Sequence, residues 1–339
     1  MVTGRSSALP KAHAECGGAT SAVGSSGRDA RSMVPLFLPL SGSSLHYQNS
    51  TGSRGQRILV TSVRRQSTKT HRAVFDLAME RRTLLGRTVM ERVLSDEQLE
   101  AFDVDFIDRF KWNRIKDCIG ESFPASAFSV LDVGCGNGVF ADKIIAEYPE
   151  SRVTGLDMSE MLLAKNRPHP RKRTILGSAL VLSDLAEQYD LICFNWLLHH
   201  LVDDTHAASL ANVCLTLSEA RNLLTERGRV SVYENMFDGI LVDKAPGRII
   251  YALTTIRWLS VLTRLGGANT GGVGVCFQSE RQWRENFNRA GLAIESFHRH
   301  DAFERTALRN IIQGIVLHLR PMAAAHFWLR QGRDAAPWL

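Results

Sequence analysis

Long apolar runs are missing from the chain. The longest near the N-terminus, Met33–Leu40, has eight residues and two prolines, against the roughly 20 that a membrane span needs. No integral membrane segment is therefore expected. The six cysteines, at 16, 118, 135, 193, 214 and 276, never form a Cys-x-x-Cys pair. That spacing excludes a zinc ribbon and a disulfide framework, gives no reason to expect a bound metal, and suits a reducing compartment. Cys193 and Cys214 sit in apolar runs and read as small core residues. No internal repeat is visible.

A surplus of positive charge is also missing from most of the molecule. The formal net charge is +6, but residues 1–72 hold ten Lys/Arg against two Asp/Glu, a net of +8. The remaining residues sum to −2, which makes no electrostatic case for a nucleic-acid partner. Residues 1–72 are rich in Ser and Gly with scattered Arg, too polar to offset ordering entropy, so they read as a disordered basic leader. An Arg- and Ser-rich, acid-poor start resembles an organelle transit peptide, but Gly17, Gly18, Gly24 and Gly27 argue against its amphipathic helix. A plain tail, or a translated upstream region with the true start at Met33 or Met79, fits better. No secretory signal is expected from this composition. A cytoplasmic location is expected, organellar if the leader is a transit peptide.

The middle of the chain changes texture twice. Residues 73–125 read as an N-terminal helical cap. Leu84, Leu85, Val89, Val93 and Leu94 recur at helical spacing, Ser95 with Gln98 forms a capping box, and Phe106–Ile119 carries a further apolar face. Pro124 closes this preface. From 126 to 320, strand and helix alternate. Strands are expected at Ser129–Val133, Arg152–Leu156, Thr174–Leu176, Tyr189–Trp196 and Arg229–Glu234. Helices are expected at Phe140–Tyr148, Ser159–Asn166 and Thr205–Glu226, the last closed by Gly228. A capping box at Ser279 and Gln282 opens another helix, followed by strands near Ala293–Phe297 and Ile311–Leu319. Residues 321–339 read as a C-terminal tail. Repeated strand–helix units imply an α/β fold with a doubly wound parallel sheet, and the closing strand pair adds an antiparallel edge.

Chemistry concentrates at LDVGCGNG, Leu131–Gly138. Gly134, Gly136 and Gly138 follow a strand directly and open a helix, so a ligand can approach the backbone beside a helix N-terminus. The dinucleotide fingerprint G-x-G-x-x-G needs a third glycine where this chain has Val139. Asp157, at the end of the next strand, can accept hydrogen bonds from both hydroxyls of a ribose.

With TGLDMSEMLL, YDLICFNWLLHHL and LLTERGRVSVYE in sequence after it, LDVGCGNG resembles the motifs of the class I S-adenosylmethionine-dependent methyltransferases over about Ser129–Glu234. The resemblance implies a Rossmann-like seven-stranded sheet with S-adenosylmethionine at the strand C-termini. Gly134, Gly136 and Gly138 would contact its methionine part, Asp157 its ribose, and Met158 its adenine. Asp132, Cys135 and Asn195 complete the candidate cofactor set with Ser178, which stands where the family often has an acid.

Methyl transfer needs alignment, exclusion of water and, for some acceptors, a base. Residues leaving the fourth and fifth strands lie closest to that point. His199, His200 and Glu234 are the candidate catalytic groups, and Trp196 and Tyr233 candidate walls of the acceptor pocket. Equally, the histidines could satisfy nearby backbone, Glu234 could have a structural partner, and the aromatics could be core. The insertion 236–277 reads as a lid, with an apolar helix at Ile249–Leu265 and a glycine-rich hinge at Gly266–Gly274. The expected acceptor is a small, partly apolar molecule methylated on oxygen, with carbon or nitrogen as alternatives. No Asn-Pro-Pro-Tyr stretch follows the fourth strand, so the signature of amide- and base-directed N-methyltransferases is missing. The rival readings are a nucleotide-cofactor oxidoreductase and a non-catalytic binding protein of the same fold.

Overall fold

The computed structural model describes residues 95–99, 103–124, 127–256, 270–301, 314 and 317–332. The leader at 1–72, the apolar run at 84–94 and most of the expected 311–319 strand lie outside them.

Seven strands form one sheet in the order β3-β2-β1-β4-β5-β7-β6. They are β1 (Ser129–Val133), β2 (Arg152–Asp157), β3 (Lys172–Leu176), β4 (Tyr189–Asn195), β5 (Leu224–Met236), β6 (Leu292–Asp301) and β7 (Ala323–Gln331). The first five run parallel, and β7 inserts antiparallel between β5 and β6. The expected doubly wound sheet with antiparallel pairing at one side is what forms. Strand order reverses between β1 and β4, so a crevice opens beyond their C-terminal ends.

Seven helices are described: α1 (Asp96–Leu99), α2 (Arg109–Ser122), α3 (Val139–Glu147), α4 (Glu160–Leu163), α5 (His206–Asn222), α6 (Ala245–Thr255) and α7 (Glu280–Arg289). Both expected capping boxes are made. The Ser95 N–H donates to Gln98 Oε1 at 3.1 Å, and the Gln98 N–H donates back to Ser95 Oγ at 3.4 Å. Ser279 and Gln282 repeat the exchange at the head of α7. Successive strand residues face opposite sides, which gives the sheet two cores. Leu131, Ile192, Phe194 and Val232 pack with α5 and α7 on one side. Val130, Leu191, Cys193 and Tyr233 pack with α2 and α3 on the other.

Of the boundaries that differ from the periodicity, four bear on the site or the sheet. The helix expected from Phe106 begins at Arg109, because the Asp108 side chain accepts the Lys111 N–H at 3.0 Å and caps it there. The helix expected to reach Glu226 stops at Asn222, because Leu224 already pairs with Tyr189. The register then shifts so that Leu191 meets Arg229, and Gly228 lies inside the strand rather than capping a helix. The fourth strand ends at Asn195, where Trp196 turns away with φ +55°. The closing strand is Ala323–Gln331, in the stretch expected to be a tail. Its residues Ala323–Leu329 are buried without alternation, and three consecutive alanines carry little β-propensity, so neither signal was available.

In the 236–277 insertion, α6 carries Pro246 in its first turn, where a missing N–H costs nothing. Ile250 of α6 packs with Phe237, Phe277, Leu317 and Leu319 in a separate small core. The Tyr251 hydroxyl donates to the Asp203 carbonyl at 2.7 Å.

Candidate functional site

The C-terminal ends of β1, β2 and β4 open on a cavity of about 640 Å³. Its floor is the glycine loop. Gly134, Gly136 and Gly138 all have positive φ, at +74°, +52° and +78°. A Cβ at Gly134 would lie 2.8 Å from Leu197 Cδ1, and one at Gly138 only 1.8 Å from Asn166 Oδ1. At Gly136 a Cβ would meet nothing closer than Leu162 Cδ1 at 4.0 Å and would project into the cradle. Asp157 braces this loop by accepting the Gly136 N–H and the Ser159 N–H, both at 2.8 Å. Each carboxylate oxygen retains a lone pair for a ligand hydroxyl. Asn166 adds a brace that the sequence did not disclose, its Nδ2 donating to the Gly136 carbonyl at 2.8 Å.

Asp132, Cys135, Met158 and Asn195 also line the cavity. Asp132 is buried, its Oδ2 lacks a hydrogen-bond partner, and neither amide atom of Asn195 has one. Burial, with the Asp157 carboxylate nearby, pushes Asp132 up to about 7. Burial also raises Asp157, against the pull of its backbone donors. Burial likewise keeps the Cys135 thiol well above the usual range, as un-ionised S–H. Ser178 is different. Its hydroxyl accepts the Leu180 N–H at 3.0 Å and starts a short helical turn, while its neighbours Gly177 and Ala179 line the wall.

The roof comes from the segment before α2. Leu99, Val104, Phe106 and Ile107 face the cavity, and Val273 is what the described part of the 236–277 insertion contributes. Asp105 pairs with Lys143 of α3 at 2.6 Å, and Asp103 pairs with Lys165 at 2.7 Å, holding the roof to the helices that flank the loop. These partners are far apart in sequence, so no local pattern pointed to them.

Just past β4, Trp196 lines the cavity in a backbone conformation that a bulky residue rarely adopts. Its indole N–H donates to Asn235 Oδ1 at 3.1 Å, and its ring stacks on Tyr233 at 5.2 Å. Tyr233 itself is fully buried behind Trp196 and stacks on His326 at 4.5 Å, so it supports the wall without being part of it. The three candidate catalytic groups separate in the same way. His199 Nδ1 and Glu234 Oε2 lie 2.7 Å apart, both buried behind the wall. The imidazole of His199 also stacks on Phe277, 4.7 Å away. His200 lines the cavity, and burial with His199 beside it holds its pKa well below the usual imidazole value. Among the described residues, no group of His, Cys, Asp or Glu is arranged to hold a metal.

A reversed-order α/β sheet, a three-glycine loop after β1 and an acid at the end of β2 fit the fold of the class I methyltransferases, the class whose methyl donor is S-adenosylmethionine. The residues present fit that donor, with an open cradle at Gly136, ribose acceptors on Asp157 and buried polar atoms without partners on Asp132 and Asn195.

Residues 130–220 match the family described as "Methyltransferase domain". The chain is 29% identical over 111 residues to the ribosomal RNA small subunit methyltransferase C of Haemophilus influenzae (strain PittEE), covering 32% of each protein. It is 32% identical over 95 residues to the ubiquinone biosynthesis O-methyltransferase of Acinetobacter baumannii (strain AYE), covering 26% of this chain and 38% of that protein. The chain thus spans about a third of the length of the curated relatives it matches. Among solved structures, the cyclopropane synthase MmaA2 from Mycobacterium tuberculosis aligns with a TM-score of 0.46 and 15% identity, covering 70% of this chain and 94% of that one. Among the described residues, no helix is long and apolar enough to cross a membrane.

Proposed function

We propose that the protein transfers a methyl group from S-adenosylmethionine to a small, partly apolar acceptor, on oxygen in preference to carbon or nitrogen. The observation that carries this reading is the lining of the cavity. Asp105, Asp132, Asp157 and Glu160 are on its wall, and among the described residues no Lys or Arg is. An acidic wall suits a cationic donor, whereas a nucleic-acid or phosphate-bearing acceptor would call for Lys and Arg contacts. The apolar roof and Trp196 suit an acceptor with an apolar face. The ribosomal RNA methyltransferases among the relatives are matched over only about a third of their length, so their substrate does not carry over to this chain. Asn195-Trp196-Leu197 after β4 also lacks the Asn-Pro-Pro-Tyr signature.

The donor, when bound, supplies a methyl group already activated by its sulfonium. The glycine loop and Asp157 hold it by main-chain approach and ribose hydrogen bonds. Leu99, Phe106 and Ile107 exclude water from the transfer point, and Trp196 orients the acceptor. We assign His200 as the group that takes the hydroxyl proton, since of the three candidate catalytic groups it is the one on the cavity lining. His199 and Glu234 hold the turn that carries it.

The test is transfer of labelled methyl from S-adenosylmethionine to a panel of phenols, hydroxy acids and small amines, with small-subunit ribosomal RNA alongside. Labelling of a small hydroxyl compound is expected. Labelling of the RNA alone would overturn the acceptor class, and transfer to nothing combined with binding of NADH would replace the reading with an oxidoreductase.

A further inference from the structure

Asp132 occupies an unusual position for a carboxyl group. It is the fourth residue of β1, 1% exposed, and its Oδ2 has no hydrogen-bond donor. An ionised carboxylate with one oxygen that no donor reaches costs several kcal/mol in such a place, so the group keeps its proton unless a positive charge arrives.

The groups that face it do not supply that charge. Asp157, at the end of β2, adds a second negative charge, and its own two oxygens are held by the Gly136 and Ser159 N–H groups. Cys135 in the loop and Cys193 on β4 are buried thiols whose own ionisation Asp132 opposes. Asn195 on β4 is a neutral amide that pulls the Asp132 pKa down by its side-chain dipole without supplying a charge. Among the described residues, Lys172 of β3 is the cation that acts on Asp132, but its buried ammonium is paired with Asp142 of α3 at 2.6 Å. Asp132 therefore sits on the wall of an acidic cavity with an oxygen left over and no counter-ion of its own.

We propose that Asp132 is a ligand-gated counter-ion: protonated in the free protein, it ionises when a cationic ligand enters the cavity, and releases one proton to solvent. The inference rests on the reading of the cavity as the S-adenosylmethionine site. The balance is simple. A neutral carboxyl and a ligand cation become a carboxylate–cation pair plus one proton in the buffer, so the charge inside the cavity is the same before and after binding. Two cations of the donor could serve, the sulfonium and the α-ammonium. S-adenosylhomocysteine keeps the ammonium and lacks the sulfonium, so the two ligands tell these apart. A buried acid that ionises only against its ligand discriminates against neutral nucleosides of similar shape, which would leave it either protonated and unrewarded or charged and unpaired.

The experiment is calorimetric titration of the full chain with each ligand at pH 5 to 8, in buffers of different ionisation enthalpy, which counts protons released per ligand bound. With Asp132 near 7 in the free protein, about 0.9 proton should leave per ligand at pH 6, falling towards zero above pH 8, and affinity should rise about ninefold from pH 5 to pH 6. Release with both ligands assigns the ammonium as partner, and release with S-adenosylmethionine alone assigns the sulfonium. Asp132→Asn, checked for folding by circular dichroism, should still bind but with the proton release abolished and a flat pH dependence. Binding without proton release in the wild-type protein, or release that persists in Asp132→Asn, overturns the inference and leaves the donor site standing. Binding of neither ligand at any pH overturns the donor reading and this inference together.

Discussion

The end of the cavity read as the donor's draws most of its parts from one stretch of chain, Asp132 to Asn166, and offers a ligand glycine backbone and one bracing carboxylate. The end read as the acceptor's draws on distant positions, Leu99 and Val104 to Ile107, Trp196 to His200, and Val273, and is walled by side chains such as Trp196, which stacks on Tyr233. The difference has a physical root. Contact with a constant ligand can be made by main-chain geometry, which demands particular residue types at fixed spacing. Contact with a variable acceptor is made by shape, which many sequences can supply.

Substitutions at the acceptor end should separate chemistry from support. His200→Ala is expected to lower kcat by about 10²- to 10⁴-fold while leaving donor affinity within a few-fold. An unchanged kcat would remove His200 from the reaction. Glu234→Ala, which strips the partner from a buried imidazole, should instead cost about 3 kcal/mol of stability in urea titrations. A variant that melts like the wild type but turns over slowly would reverse the two roles.

Acid sharpens a second contrast, between the donor end and the strands beneath α2. His326 is fully buried between Tyr233 and Trp328, and burial with Arg114 nearby pushes it down to about 3. Half-buried His300 is pushed down to about 4. Both regain an ordinary value near 6.5 on unfolding, so their contribution is full above that pH and is lost as pH falls towards the folded values. For His326 the loss is about 1.4 kcal/mol per pH unit. Asp132 acts in the opposite sense. Its folded value, about 7, lies above the unfolded one near 4, so its contribution is present at low pH and is lost as pH rises through 7. Between pH 6.5 and 4 the two regions oppose each other. Asp132→Asn should steepen the acid loss of stability and His326→Gln should flatten it, read from melts across that range. Parallel curves for both variants would break the contrast.

The smallest effect is expected at Trp196. Trp196→Phe keeps a ring on Tyr233 but loses the hydrogen bond to Asn235, so KM for the acceptor should rise about tenfold with donor affinity unchanged. A KM that does not move would show that the acceptor seats elsewhere.

The same contrast explains what could be read before the fold was seen. The parallel strands through Glu234 announced themselves by apolar runs next to glycine and acid signals, and Gly134, Gly136, Gly138 and Asp157 lie where that spacing put them. The closing strand Ala323–Gln331 did not, because a strand buried on both faces with alanine at its start shows neither alternation nor β-propensity. Tyr233 and His199 are candidates by position, but which side of a wall a residue lies on depends on Trp196 turning at φ +55° and on Phe277 coming back from the insertion. The roof was legible only as the start of a helix. What pins it over the cavity is Asp103 with Lys165 and Asp105 with Lys143, pairs that local patterns do not reveal.

The most direct test of the central claim is a binding titration of the full chain with S-adenosylhomocysteine, repeated on Asp157→Ala. Saturable one-to-one binding is expected in the wild-type protein, with affinity falling about 100-fold when the carboxylate that braces Gly136 and Ser159 is removed. Equal affinity in the two proteins, or no binding in either, would contradict the account.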